Sequence, residues 1–121
     1  MTSVRGVRGA TQVDENTAEA ISRGTVELLK ELLKTNDLAQ SDLISVIFTV
    51  SPDLNATFPA SAARSRGFEE VPLLCAVEID VPDALARTIR ILMHVNTEKS
   101  LKEINHVYLH GAKALRRDIA Q

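Results

Sequence analysis

A helical period long enough to build an amphipathic helix occurs once in this chain of 121 residues, and β-branched runs occupy much of the rest. Ile21, Thr25, Leu28, Leu29, Leu32 and Leu33 recur at helical spacing. Asn16 is a candidate N-cap with Glu19 three residues on, in the manner of a capping box, and Asn36 can end the helix near residue 35. Around this helix five segments read as strands: Val4 to Val13, Leu43 to Val50, Val71 to Glu78, Arg87 to Val95 and Asn105 to His110. Gly6 and Gly9 interrupt the first, marking a bulge or a close approach by a neighbouring backbone or ligand. Pro59 suits the start of a short helix, Ala60 to Arg66, closed by Gly67. Ser41-Asp42, the stretch after Pro82, and Ser100 to Glu103 read as turns, and the tail from Ala112 to Gln121 has no clear period.

The set is α+β: a five-stranded mixed sheet with one long helix and short helices, in a single domain spanning residues 1–121. One helix covers only part of such a sheet, so the remaining apolar area requires another cover. A partner subunit is the natural one, and the expectation is a homo-oligomer.

Charge narrows the function classes. Fourteen Lys plus Arg against sixteen Asp plus Glu give −2, with no basic excess of the kind a nucleic-acid module carries. No run of eighteen apolar residues is present, and no apolar core follows Arg5 and Arg8 at the N-terminus, so neither a membrane span nor a secretory signal is expected. One cysteine, Cys75, excludes an internal disulfide framework and fits a reducing cytoplasm. Nine of the basic residues are arginine, at 5, 8, 23, 64, 66, 87, 90, 116 and 117. Guanidinium is planar and offers paired donors matched to carboxylate or phosphate, so the bias admits either surface ion pairing or a local site for a small anion.

The usual catalytic patterns are missing. The chain has no Gly-rich phosphate loop, no Gly-x-Ser-x-Gly, and no Cys-x-x-Cys or His-Glu-x-x-His. His106 and His110 flank Tyr108 on one face of a presumed strand, which is not a metal spacing, so no metal is expected and the histidines read as a solvated face. Cys75 reads as a small buried hydrophobe unless a base and a cation activate it. Arg90 is the anomaly. In Thr88–Val95 the apolar face is Ile89, Ile91, Met93 and Val95, and Arg90 shares the opposite face with Leu92. A charge in mid-strand needs a partner, and Glu78 at the end of the third strand can supply it. A structural ion pair and a functional guanidinium are both open at this point.

The chain resembles a known family. Val4-Arg5-Gly6-Val7-Arg8-Gly9-Ala10-Thr11, Pro52-Asp53-Leu54 with Phe58-Pro59-Ala60, Val71-Pro72-Leu73, Cys75 with Glu78, and His106-Val107-Tyr108-Leu109 followed by Leu115-Arg116 are similar to the monofunctional chorismate mutases of the AroH class, in order and over nearly the whole length. The resemblance implies a trimeric pseudo-barrel with active sites between subunits, and conversion of chorismate to prephenate in aromatic amino acid biosynthesis, without a cofactor. It also implies roles. Arg8, Arg90 and Tyr108 would hold the carboxylates and ether oxygen, with Arg90 and Glu78 as the catalytic pair. Cys75 and Glu78 would face the ring and its hydroxyl, and Leu74, Ala76 and Val77 would also bind substrate. Phe58 and Arg64 would reach in from the neighbouring subunit, and Leu115 with Arg116 would form a C-terminal lid. The chain departs from the family at Ser61, where relatives often carry lysine, and at Arg117, where proline is common. A trimer of the same architecture that binds a small carboxylate or processes an imine is the alternative. A plain oligomerisation module would leave Arg8, Arg90 and Tyr108 as coincidence.

Overall fold

The computed structural model describes residues 1–115. Five strands, β1 (Ser3–Gln12), β2 (Leu43–Val50), β3 (Leu73–Val77), β4 (Thr88–Thr97) and β5 (Val107–Leu109), form one mixed sheet in the order β3-β2-β4-β1-β5. The long central strand β4 runs antiparallel to both β1 and β2, and the short edge strands add in parallel, β5 to β1 and β3 to β2.

The 18-residue helix α1 (Ala18–Thr35) lies on one face of the sheet. Its apolar stripe, Leu28, Leu29 and Leu32, packs against Val7, Val46, Phe48, Ile91, Met93 and Val95, with Ala60 and Ala63 of the short helix α2 (Pro59–Ser65) closing the same core. Each fully buried leucine of that stripe contributes about 1.5–3 kcal/mol by leaving water, so α1 and this sheet face hold one another in place. The strand alternation anticipated for β4 is realised: Ile89, Ile91, Met93 and Val95 are all buried, while Arg90, Leu92 and His94 on the other face are only half-buried. Among the described residues no α-helix covers that second face.

Both ends of α1 are tied by polar side chains. The N-cap is Thr17, not Asn16: Thr17 is the last extended residue, and its hydroxyl oxygen accepts from the Ala20 N–H at 3.1 Å. Asn16 is drawn away by another loop, where its Oδ1 accepts from the Asn55 and Ala56 N–H groups at 3.0 and 3.1 Å. Asn36 closes the helix as anticipated. Its buried amide donates to the Leu32 and Asn105 carbonyls at 3.0 and 2.8 Å and accepts from the Asn105 N–H at 2.8 Å, clamping the chain that enters β5.

The other boundaries differ where backbone geometry intervenes. β3 starts at Leu73 because Pro72 has no N–H to give the ladder, although its carbonyl accepts from Val46. β4 starts after Arg87, which is held at φ +49. β5 is three residues long, not six: His110 takes φ +52 and turns the chain into a 3-10 segment, His110–Leu115. Consequently His106, Tyr108 and His110 do not share a face as a longer strand would have required.

Gly24 of α1 meets β1's end closely enough that an added Cβ would sit 2.6 Å from Val13 Cγ1. Alanine is worth about 1 kcal/mol over glycine inside a helix, but overpacking costs about 1–3 kcal/mol, so the clash wins. Gly24→Ala is expected to lower the unfolding free energy in urea by about 1 kcal/mol, and in a Val13→Ala background the same change should raise it. A stabilised single variant would contradict this packing.

Candidate active site

Strand register assembles the site. Thr49 pairs with Ala76 on one side and with Arg90 on the other, Arg90 pairs with Ala10, and Ala10 pairs with Tyr108. Residues paired in this way point to the same face, so Ala76, Thr49, Arg90, Ala10 and Tyr108 form one row across all five strands on the uncovered side. Arg8 lies two residues along β1, on that same side, opposite Leu92. All of these except Ala76 wall a cleft of about 300 Å³, together with Gly9, Ile47, Glu78, Ile91 and Leu92. The volume is at the small end of ligand sites.

Polar contacts within the row are unequal. Glu78, just past β3, accepts from the Thr49 hydroxyl at 2.5 Å and stands 3.8 Å from Arg90 Nε. The anticipated Arg90–Glu78 pair therefore exists, yet at a length that leaves the guanidinium free to donate elsewhere. Arg90 Nε and Tyr108 Oη are both buried and have no hydrogen-bond partner among the described residues. An unpaired buried donor costs about 1–3 kcal/mol, so two of them on residues that line one cleft mark a place where an acceptor belongs. With Arg8 and Arg90 against Glu78, the cleft carries an excess of positive charge, as an anion site requires.

A small apolar cluster sits beside the row. Ala10, Tyr108 and Ala112 are buried together, and Leu85 and Leu115 pack on them. The 3-10 segment thus folds back over the β1–β5 end of the open face, which brings Leu115 next to Tyr108's neighbours. Arg116 lies outside the described residues.

The remaining anticipated residues occupy other places. Leu74, Ala76 and Val77 lie exposed on the edge strand β3, where Leu74 is 61% and Val77 67% accessible. The Cys75 side chain, in register with Phe48, packs against the core beneath the helices, so that only its backbone is near the open face. Phe58 and Arg64 are exposed on α2 and are not among the walls of the cleft. The histidines are dispersed. His94 bonds Ser45 at 3.1 Å, His106 accepts from the Arg8 N–H at 3.0 Å, and His110 meets Glu27 of α1 at 2.9 Å.

Thr49 and Ala10 were not legible as site residues from the sequence. Thr49 lies in a β-branched run that reads as wholly buried; the signal was the alternation of Ser45, Ile47 and Thr49 on one face. Ala10 matters for its size, since any larger side chain there would fill the gap between Arg90 and Tyr108.

A cleft of arginines and a tyrosine on the open face of a mixed sheet defines the class: an α+β protein with a cleft suited to a small anion where neighbouring strands meet. The family model for chorismate mutase type I matches residues 4–119. Chorismate mutase AroH of Thermus thermophilus is 48% identical over 117 residues, covering 96% of both chains. Chorismate mutase AroH of Bacillus subtilis is 38% identical over 118 residues, 97% of this chain and 93% of that one. The solved chorismate mutase of Clostridium thermocellum superposes with a TM-score of 0.90 at 53% identity, covering 91% of this chain and 98% of its own. The chain belongs to the type I chorismate mutase family.

The entrance of β4, the strand at the centre of the row, is braced by a second polar knot. Asp53 accepts from the Ser51 hydroxyl at 2.5 Å and from the Arg87 N–H at 3.0 and 3.1 Å, which holds Arg87 in its left-handed conformation three residues before Arg90. The Ser51 hydrogen bond has the largest effect on the Asp53 carboxyl; burial opposes it, and the Arg87 N–H and charge add to it, so that the carboxyl is held below its ordinary 3.8. A carboxyl lowered in the folded state stabilises the fold above its unfolded pKa and loses that contribution as pH falls through the folded value. Urea melts should therefore show the parent more stable than Asp53→Asn at about pH 6, with the gap closing below about pH 3.8. A gap independent of pH would contradict the assignment.

Proposed function

We propose that this protein converts chorismate to prephenate, an isomerase of phenylalanine and tyrosine biosynthesis, and that the Arg8–Arg90–Tyr108 row is its catalytic cleft. The observation that carries the site assignment is the pair of buried donors, Arg90 Nε and Tyr108 Oη, on two residues that line one cleft and without a partner among the described residues.

The chemistry suits a site built in this way. A [3,3] rearrangement breaks one C–O bond and forms one C–C bond as three electron pairs shift around a six-atom ring. No proton, leaving group or nucleophile is exchanged. What the protein must do is hold a flexible dianion in its compact conformer and stabilise the negative charge that grows on the ether oxygen. Arg8 and Tyr108 grip the carboxylates. Arg90 donates to the ether oxygen, held by Glu78, which Thr49 holds in turn. Glu78 also meets the ring hydroxyl, beside the Leu74–Val77 backbone. The Cys75 side chain faces the core and takes no part as a nucleophile.

The assembly in this reading is a homotrimer with sites between subunits. Three features support it: the sheet face without a helix, the exposed apolar run Leu74, Val77, Ile79 and Val81 on and after the β3 edge, and the position of Phe58 and Arg64 away from their own subunit's cleft. Phe58 and Arg64 enter a neighbour's cleft, while Leu115 packs beside Tyr108 at its own. Sedimentation equilibrium should return three times the 13.2 kDa chain mass, and a folded monomer at micromolar concentration would rule the interfacial site out.

Loss of chorismate absorbance on adding purified protein tests the activity, and Arg90 tests the mechanism. Removing one donor to a developing oxyanion costs about 10²–10³ in kcat, and Arg90→Ala should exceed this because it also leaves Glu78 without its cation. Arg90→Lys keeps the charge without the fork and should recover part of the loss. Replacing Arg90 by citrulline keeps the shape and removes the charge, so kcat should collapse while substrate affinity changes far less. A citrulline variant with near-parental kcat would reduce Arg90 to a structural partner of Glu78.

A further inference from the structure

His106 is engaged by neither the chemistry above nor the core, yet it makes one specific contact with the cleft. The parallel pairing of β1 with β5 covers Gly9–Thr11 against Val107–Leu109 and stops there. Arg8 is the residue just beyond it, and its N–H has no β5 carbonyl to meet. His106 Nδ1 accepts that N–H at 3.0 Å, so an imidazole stands in for the missing ladder carbonyl. An amide N–H can only donate, which fixes the ring as the neutral tautomer with its proton on Nε2.

We propose that His106 is a positioning residue for substrate binding: its unprotonated Nδ1 holds the Arg8 backbone, and through it the guanidinium that faces the cleft, in place. The inference rests on Arg8 gripping a substrate carboxylate, as in the reading above. Protonation of the ring sets an N–H against the Arg8 N–H and adds a positive charge beside that guanidinium. The hydrogen bond is lost and Arg8 loses its orientation. His106 therefore gates affinity for the dianion without touching it.

The surroundings fit this role. The charged group acting on the imidazole is Arg8, from the neighbouring strand, and burial followed by that charge moves the ring's titration below the ordinary 6.5. From the elements on either side, α1 directs Glu27 to His110, and Glu103 of the preceding turn accepts from the Ser100 N–H. Neither acidic group is engaged with His106, so among the described residues nothing favours the protonated ring.

Three measurements test this. First, the Arg8 backbone amide, followed by NMR in the ligand-free parent, should titrate with the His106 ring at a midpoint below 6.5. Second, His106→Ala should raise KM about tenfold with kcat within about twofold, since one hydrogen bond is worth up to about 1.5 kcal/mol and acts on binding. Third, His106→Asn places an amide oxygen near the Nδ1 position without a titrating group. It should bring KM back to within about threefold of the parent and abolish the rise in KM that the parent shows as pH falls through the ring's titration. An amide that does not follow the ring, an Asn variant no better than Ala, or an Asn variant that keeps the acid rise in KM would each overturn the inference. If the parent turns over chorismate while the amide stays still, this inference falls alone. If the parent does not turn it over, the functional reading falls and this one with it, although the amide still titrates.

Discussion

A guanidinium in the middle of a central strand is tolerable only where the two faces of that strand meet different environments. In β4 the covered face, Ile89, Ile91, Met93 and Val95, is sealed against α1, and the other face carries Arg90 half-exposed beside Glu78. The seal comes first energetically. Several leucines and β-branched residues leaving water supply far more than one 3.8 Å ion pair with both partners about one-third accessible, whose contribution lies within about 1 kcal/mol. Packing against the helix fixes which way β4 faces, and a slip of one residue would put Arg90 into the core. The site depends on that register, and the ion pair only trims it.

Around this centre the fold places rigid corners where the site needs them. Arg87 and His110, two non-glycine residues in left-handed conformation, lie at the entrance of β4 and the exit of β5. Each is held by an acidic partner, Arg87 through its N–H by Asp53 and His110 through its ring by Glu27. Gly111 follows so closely on Gln12 that a Cβ would overlap the Gln12 side chain, and Gln12 itself donates to the Ala86 carbonyl at 2.9 Å. One side chain thus lies between the turn leaving Tyr108 and the loop approaching Arg90. Such strain is kept only where surrounding contacts over-determine the backbone. Of the four non-glycine residues with positive φ, Asp37, Asp83, Arg87 and His110, the last two lie next to the strands that carry Arg90 and Tyr108.

Much of this was legible in the sequence. The amphipathic period from Ile21 to Leu33 identified α1, the alternation in Thr88–Val95 assigned Arg90 to the face away from the core, and Glu78 stood out as its partner. The three-residue length of β5 was not readable, because Val107-Tyr108-Leu109-His110 has strand propensity throughout and the left-handed turn at His110 is set by Glu27 and Gln12, remote in sequence. Thr17 displaced Asn16 as the cap for a similar reason. Both residue types accept well, and the choice was made by Asn55 and Ala56 some forty positions away. Cys75 reads on its own as a small buried hydrophobe and by resemblance as a cleft residue, and its pairing with Phe48 turns the side chain to the core.

What the sequence determined by itself was therefore local and periodic: which segments are strand or helix, which residues lie on the same side of each segment, and which charge sits out of place. Those follow from side-chain spacing along a single element, a property that needs no neighbours. What only the tertiary structure decided was which sides face one another. The row from Ala76 through Thr49, Arg90 and Ala10 to Tyr108 draws one residue from each of five strands, and its order comes from ladder register between segments up to about a hundred residues apart. The unpaired donors and the Arg8–His106 bond exist only in that register. Hydrogen-bond partners across a sheet are set by how strands stack, and no period within one strand encodes its neighbour.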